Sequence, residues 1–108
     1  MVVSYLEKIR DKFLNERIEL NSQLSMLLNE QRENVEIIKM LEINDDPNFE
    51  AFTPRQVNSF NKTKVMELKE RQKVLDKEIE SCKQNINDIN NEIEEITLVI
   101  KVARELQK

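Results

Sequence analysis

Residues 65–103 read VMELKERQKVLDKEIESCKQNINDINNEIEEITLVIKVA, and their apolar positions repeat every seven residues in two interleaved series. The first series contains Leu68, Leu75, Cys82, Ile89, Ile96 and Ala103, and the second contains Val65, Gln72, Ile79, Ile86, Ile93 and Ile100. Two such series, three and four residues apart, form the seam of a coiled-coil helix, and Gln72 is its polar break. The stretch therefore predicts a long helix that packs against another helix.

A weaker heptad repeat precedes this stretch and predicts a first helix over about residues 4–44. Its two series contain Leu6, Phe13, Leu20, Leu27, Asn34 and Leu41, and Arg10, Arg17, Leu24, Gln31 and Ile38. We expect the stems of Arg10 and Arg17 to cover apolar surface while their charged heads reach water. Pro47 disfavours helical geometry at the residue before it, so the helix should end near Asn44.

The second helix has a clear start signal and is predicted over about residues 54–107. Thr53 is a favourable N-cap, Pro54 suits the first helical position, and Gln56 completes a capping box. Residues 45–53 then form the only connection, a corner packed by Phe49 and Phe52. The chain is thus predicted to be one coiled-coil hairpin domain over residues 1–108.

Two amphipathic helices joined by a short corner bury their seams most simply by folding back antiparallel, which predicts an all-α helical hairpin. Facing residues then have numbers with a constant sum, and the two seams allow sums of 106 or 99. The sum of 106 is preferred because it places Asn34 opposite Gln72. A buried polar group without a partner costs on the order of 1–3 kcal/mol, so a shared polar seam layer is favoured.

Apolar residues outside the seam predict self-association. The first helix carries a second stripe of Leu14, Ile18, Leu28 and Val35, which we assign as a dimer face. Two helices alone bury one face each, so the hairpin is expected to form a homodimer with a four-helix bundle. A further apolar group comes from both termini and contains Val2, Val3, Leu98, Val99, Val102 and Leu106.

The composition argues against catalysis and against a cofactor. The chain has no glycine and no histidine, so it lacks a phosphate loop and the commonest general base and metal ligand. We expect no catalytic, cofactor-binding or metal residues. Cys82 is interpreted as a small buried seam residue, and Glu92, Glu94 and Glu95 as a solvated face.

The charge pattern and the single cysteine bear on location and partners. The net charge is −4 with both signs interspersed, which predicts binding neither to nucleic acid nor to a membrane surface. No apolar run approaches the roughly 20 residues of a spanning helix. With one cysteine and no signal peptide at the amino end, we expect a cytoplasmic protein.

The stretch Phe52-Thr53-Pro54-Arg55-Gln56-Val57-Asn58-Ser59-Phe60, between two heptad helices, resembles the amino-terminal cytoplasmic coiled-coil region of DegS-type sensor histidine kinases. The resemblance implies a dimerising sensory module of bacterial two-component signalling, with a kinase region beyond Lys108 as its downstream partner. The alternative is a stand-alone helical adaptor or chaperone that binds a partner helix.

Overall fold

The computed structural model describes residues 2–43 and 55–107. Helix α1 spans Val2–Ile43 and helix α2 spans Arg55–Leu106. Burial is defined for residues 2–42 and 61–107. The predicted corner over 45–53, the capping residues Thr53 and Pro54, and the side chain of Gln56 lie outside the described residues.

Two features of the sequence favour both helices: helix-breaking residues are rare, and each helix has an apolar seam. Glycine is absent, and the two prolines, Pro47 and Pro54, lie outside α1 and α2. Long helices still need tertiary packing to be stable in water, and each helix carries an apolar seam that supplies it. No strand occurs in residues 2–43 or 55–107, and the prediction of an all-α hairpin of two long helices is confirmed.

Contacts within the chain divide it into two compact units. Unit 1 contains Met1–Ser25 and Glu80–Lys108, and unit 2 contains Met26–Ile79. Each unit pairs a segment of α1 with an antiparallel segment of α2. In unit 1 the direction is given by contacts of Glu7 with Arg104 and of Arg17 with Asn90. In unit 2 it is given by contacts of Gln31 with Asp76 and of Glu42 with Lys69.

The seam residues of α2 are the most deeply buried in both units. The buried apolar residues of unit 1 are Cys82, Ile89 and Ile100, and those of unit 2 are Leu27, Leu75 and Ile79. Burying each of the larger side chains stabilises the fold by about 1.5–3 kcal/mol. None of the described helices combines the length and the apolar character needed to cross a bilayer.

Candidate functional site

The polar seam layer lies in unit 2, where the structure brings Asn34 and Gln72 together. Asn34 Nδ2 donates to Gln72 Oε1 at 2.9 Å and to the backbone oxygen of Leu68 at 2.9 Å. Asn34 is only 6 % exposed, so both bonds form largely away from water. Because 34 and 72 sum to 106, this contact corresponds to the preferred register. The amide of α1 is therefore held by both a side chain and the main chain of α2.

Two further residues extend the layer to the surface of unit 2. Gln72 Nε2 donates to Asp76 Oδ1 at 3.0 Å, and Gln31 Nε2 donates to the same oxygen at 2.8 Å. Asp76 thus accepts bonds from both helices, and hydrogen bonds to a charged acceptor are the stronger kind. The heptad pattern placed Gln31 on the seam but gave no sign of its bond to Asp76, which lies outside both seam series.

Ion pairs flank the seam of unit 2 on both sides. Arg71 approaches Glu30 Oε1 through Nη2 at 2.8 Å and through Nε at 3.0 Å, and Lys69 Nζ lies 3.0 Å from Glu42 Oε1. All four side chains are about half exposed, so each pair contributes roughly 0.2–1 kcal/mol. Flanking charges of this kind fix orientation and alignment more than they add stability.

In unit 1 the α1 side of the seam carries two arginines. Arg17 Nη1 donates to Asn90 Oδ1 at 3.3 Å across the seam. The sequence predicted that the charged head of Arg10 reaches water. The structure instead buries its Nε atom, which has no hydrogen-bond acceptor. Its nearest carboxylate oxygen belongs to Asp11, at 3.8 Å. Nε is the guanidinium nitrogen attached to the aliphatic stem of Arg10, so it is buried when the stem packs against the protein.

The predicted dimer face has two members in each unit. In unit 1, Ile18 is 65 % exposed and Leu14 is partly buried. In unit 2, Leu28 is 41 % exposed and Val35 is partly buried. Leu14, Leu28 and Val35 are spaced by multiples of seven, so they occupy the same heptad position of α1. These side chains are therefore outside the deeply buried seam, and part of their apolar surface meets solvent.

Unit 1 also contains an apolar terminal groove of about 360 Å³. It is lined by Val2, Leu6, Leu98, Val99, Val102, Ala103 and Leu106. This groove contains most of the apolar group that the sequence predicted at the termini, although Val3 is not part of its lining. Leu106 is 82 % exposed, so the groove is open to solvent at that residue.

Leu98, which lines the terminal groove, lies between two charged residues of α2, Glu94 and Lys101. Glu94 and Leu98 line one shallow groove together with Thr97, and Lys101 lines a second groove that also includes Thr97. Within residues 2–43 and 55–107, neither Glu94 nor Lys101 makes an ion pair. Sequence reasoning treated Glu94 as a member of a solvated cluster and did not connect it with Lys101.

The thiol of Cys82 lies in the buried seam. Cys82 is buried, and its Sγ lies 3.4 Å from the backbone oxygen of Leu20, as a weak donor. Across the described parts of the chain, no group of three or more histidine, cysteine or acidic residues is placed to hold a metal ion.

No model of a protein family matches this chain. Searches of curated proteins and of solved structures likewise found no match.

Proposed function

We propose that the chain is a non-catalytic coiled-coil module that acts by forming a homodimer, in which two hairpins make a four-helix bundle. The proposal is carried by the exposure of apolar side chains of α1 outside the seam, above all Ile18 and Leu28. Solvent-exposed apolar residues in a repeating pattern are typical of a helix face that another helix covers. A two-fold dimer uses one such face twice, so a single stripe on each copy is enough to form it.

This face would contribute favourable burial energy to association. Burying a leucine side chain completely contributes about 1.5–3 kcal/mol, and a symmetric dimer buries each residue twice. Leu14 and Leu28 are already partly covered, so their gain per copy is smaller than the full value. Four partial burials still supply several kcal/mol toward a dimer.

The first test replaces Leu14 and Leu28 together by glutamate. We expect the parent to be a dimer in sedimentation equilibrium at micromolar concentration. The variant should be a monomer that remains largely helical by circular dichroism but melts at a lower temperature. The matched control carries Met26→Glu and Met40→Glu, which place the same two charges at exposed positions of α1 away from Leu14 and Leu28. A parent that sediments as a monomer, or a Leu14/Leu28 variant that stays dimeric, contradicts this assignment.

The resemblance to DegS-type sensors supplies the biological setting of the proposal. In that setting the module is the dimerising, regulatory part of a bacterial cytoplasmic two-component sensor, and a kinase region is its downstream partner. The coding sequence after codon 108 distinguishes the possibilities. A continuation into a histidine-containing kinase region supports the sensor, whereas a stop codon there supports a stand-alone protein.

The terminal groove favours a second candidate, an adaptor or chaperone that receives a partner helix. Its lining is almost wholly apolar, and helix-in-groove recognition uses side chains at this spacing. Replacing Val99 and Leu106 by serine should then abolish partner binding while leaving self-association unchanged. Loss of the dimer in that variant would instead assign the groove to the homodimer interface.

A further inference from the structure

The apolar groove of unit 1 is longer than its terminal stretch, and its far end is acidic. We infer that this extended groove receives an amphipathic helix of a different protein, with apolar side chains along one face and lysine or arginine residues at one end. The inference rests on the second candidate function, the binding of a partner helix, and does not depend on the homodimer. It adds the chemistry of the partner and the end of the groove at which the charges of the partner lie.

A second groove continues the terminal groove along both helices. It has a volume of about 370 Å³ and is lined by Leu6, Phe13, Glu92, Glu95, Ile96 and Val99. Leu6 of α1 and Val99 of α2 also line the terminal groove, so the two stretches meet at both walls. Together they follow α2 from Glu92 to Leu106, which is about 21 Å along the axis of a helix. This length corresponds to about four turns of a bound helix.

The terminal stretch supplies the apolar contact, because its lining has only apolar side chains. Val99, Val102 and Leu106 are each more than half exposed. These three residues are three and four positions apart on α2, so they lie along one side of the helix. An exposed apolar wall of this kind is the surface on which an amphipathic helix lays its own apolar face.

The second stretch adds two carboxylates. Glu92 and Glu95 are the charged residues of the two linings, and both lie at the end away from Leu106. Both are exposed, and neither makes an ion pair within residues 2–43 and 55–107. One end of the extended groove is therefore apolar and the other carries negative charge.

No cation among the described residues of unit 1 lines either stretch. Arg10, Lys101 and Arg104 line a groove that shares no residue with the two stretches, and Arg104 is paired with Glu7. Lys8 and Lys12 of α1 are exposed and are absent from both linings. The negative charge of the groove is therefore open to a cation that a partner supplies. Complementary charges favour a partner with lysine or arginine at this end and oppose an acidic one.

The predicted dimer face leaves this groove uncovered. Glu7 directly follows a seam residue of α1 and contacts Arg104, which directly follows a seam residue of α2. Leu14 of the predicted dimer face lies one heptad after Glu7 and belongs to the same flank of the seam. Val99 directly precedes the seam residue Ile100, which places it on the opposite flank. A dimer formed through Leu14 therefore leaves the groove free for a different protein.

The probes are two synthetic peptides of about 15 residues, the length that the groove accommodates. Both carry leucines at a helical spacing of three and four, with alanine and glutamine elsewhere. One peptide has two lysines in its last turn, and the other has two glutamates there. Fluorescence anisotropy of the labelled peptides at low salt measures their binding to the full chain. The lysine peptide should bind about tenfold more tightly, because it forms two exposed ion pairs where the glutamate peptide is repelled. High salt should reduce this preference.

Two pairs of substitutions locate the source of the preference. Glu92→Gln with Glu95→Gln should bring the affinities of the two peptides to within about twofold of each other. The matched control, Glu94→Gln with Glu105→Gln, removes two carboxylates of α2 that line other grooves and should keep the preference. Circular dichroism verifies that every variant keeps its helix content.

The outcomes separate the chemistry of the partner from the binding of a helix as such. If both peptides bind equally well and Val99→Ser with Leu106→Ser abolishes their binding, the preference for a basic partner is overturned and helix binding stands. If the control pair lowers the preference as much as the change of Glu92 and Glu95, the acidic end is overturned as its source. If neither peptide binds at millimolar concentration, both proposals are overturned. If the lysine peptide dissociates the dimer in sedimentation equilibrium, the groove belongs to the dimer interface and the assignment to a different protein is overturned.

Discussion

Units 1 and 2 are built from the same two helices, yet they place their polar groups differently. In unit 2 the seam itself carries a hydrogen-bonded polar pair, Asn34 and Gln72, and Glu30 pairs with Arg71 on the half-exposed flank. Unit 1 has an α2 seam of isoleucines with Cys82 and Ala103. Its helices are also joined by a pair of Glu7 with Arg104, but this pair lies outside the seam.

Apolar and polar layers contribute differently to a coiled coil: the first to its stability and the second to its register. Apolar layers supply burial but are nearly interchangeable, so they choose weakly between registers one heptad apart. Polar layers choose strongly, because a shifted register leaves each polar group facing an apolar neighbour. In this chain the polar seam layer of Asn34 and Gln72 lies in unit 2, whereas the open terminal groove lies in unit 1.

The largest expected effect is the loss of a fully buried seam residue. Leu75→Ala in unit 2 and Ile100→Ala in unit 1 should each lower the free energy of unfolding by about 2–5 kcal/mol, through lost burial and a residual cavity. Urea denaturation measures both. The control Val74→Ala removes an exposed side chain next to Leu75 and should change stability by less than about 0.5 kcal/mol. Equal losses for Leu75→Ala and Val74→Ala would mean that the seam is misplaced.

A smaller effect on the free energy of unfolding is expected from the polar layer. A single substitution should lower this free energy, and the double substitution should raise it. Gln72→Leu should lower the free energy of unfolding by about 1–3 kcal/mol, because Asn34 loses its side-chain acceptor. The double change of Asn34 and Gln72 to leucine should be more stable than the parent, since an apolar layer replaces a polar one. A double-mutant cycle gives the coupling between them. A coupling near zero would contradict the register in which 34 faces 72.

The smallest effect is expected at the flank of unit 2. Glu30→Gln should lower the free energy of unfolding by about 0.2–1 kcal/mol, because the pair with Arg71 is half exposed. The loss should shrink in high salt, where exposed charges are screened. Glu33 lies on the same helix and makes no ion pair among the described residues, so Glu33→Gln serves as the control. An effect of Glu30→Gln that is the same at low and high salt would argue against a Coulombic origin.

The fold was largely predictable from the sequence, because a heptad repeat specifies both the helix and the side it buries. The helix ends were less predictable: α1 begins at Val2, two residues before the predicted Ser4. Nothing in the periodicity distinguishes one terminal residue from the next. Fraying ends differ by a residue or two in any description.

The surfaces were only partly predictable. The sum rule placed Asn34 opposite Gln72, but the bond from Asn34 to the Leu68 carbonyl depends on a side-chain rotamer that spacing does not specify.

The bond from Asn34 to the main-chain oxygen of Leu68 bears on how this sequence can vary. A backbone carbonyl is present whatever the amino acid, so position 68 can exchange one apolar residue for another without losing that acceptor. Position 72 has no such freedom, because its contribution comes from the side chain. Among relatives of this chain, positions 34 and 72 should therefore change together, while position 68 drifts among residues of similar size.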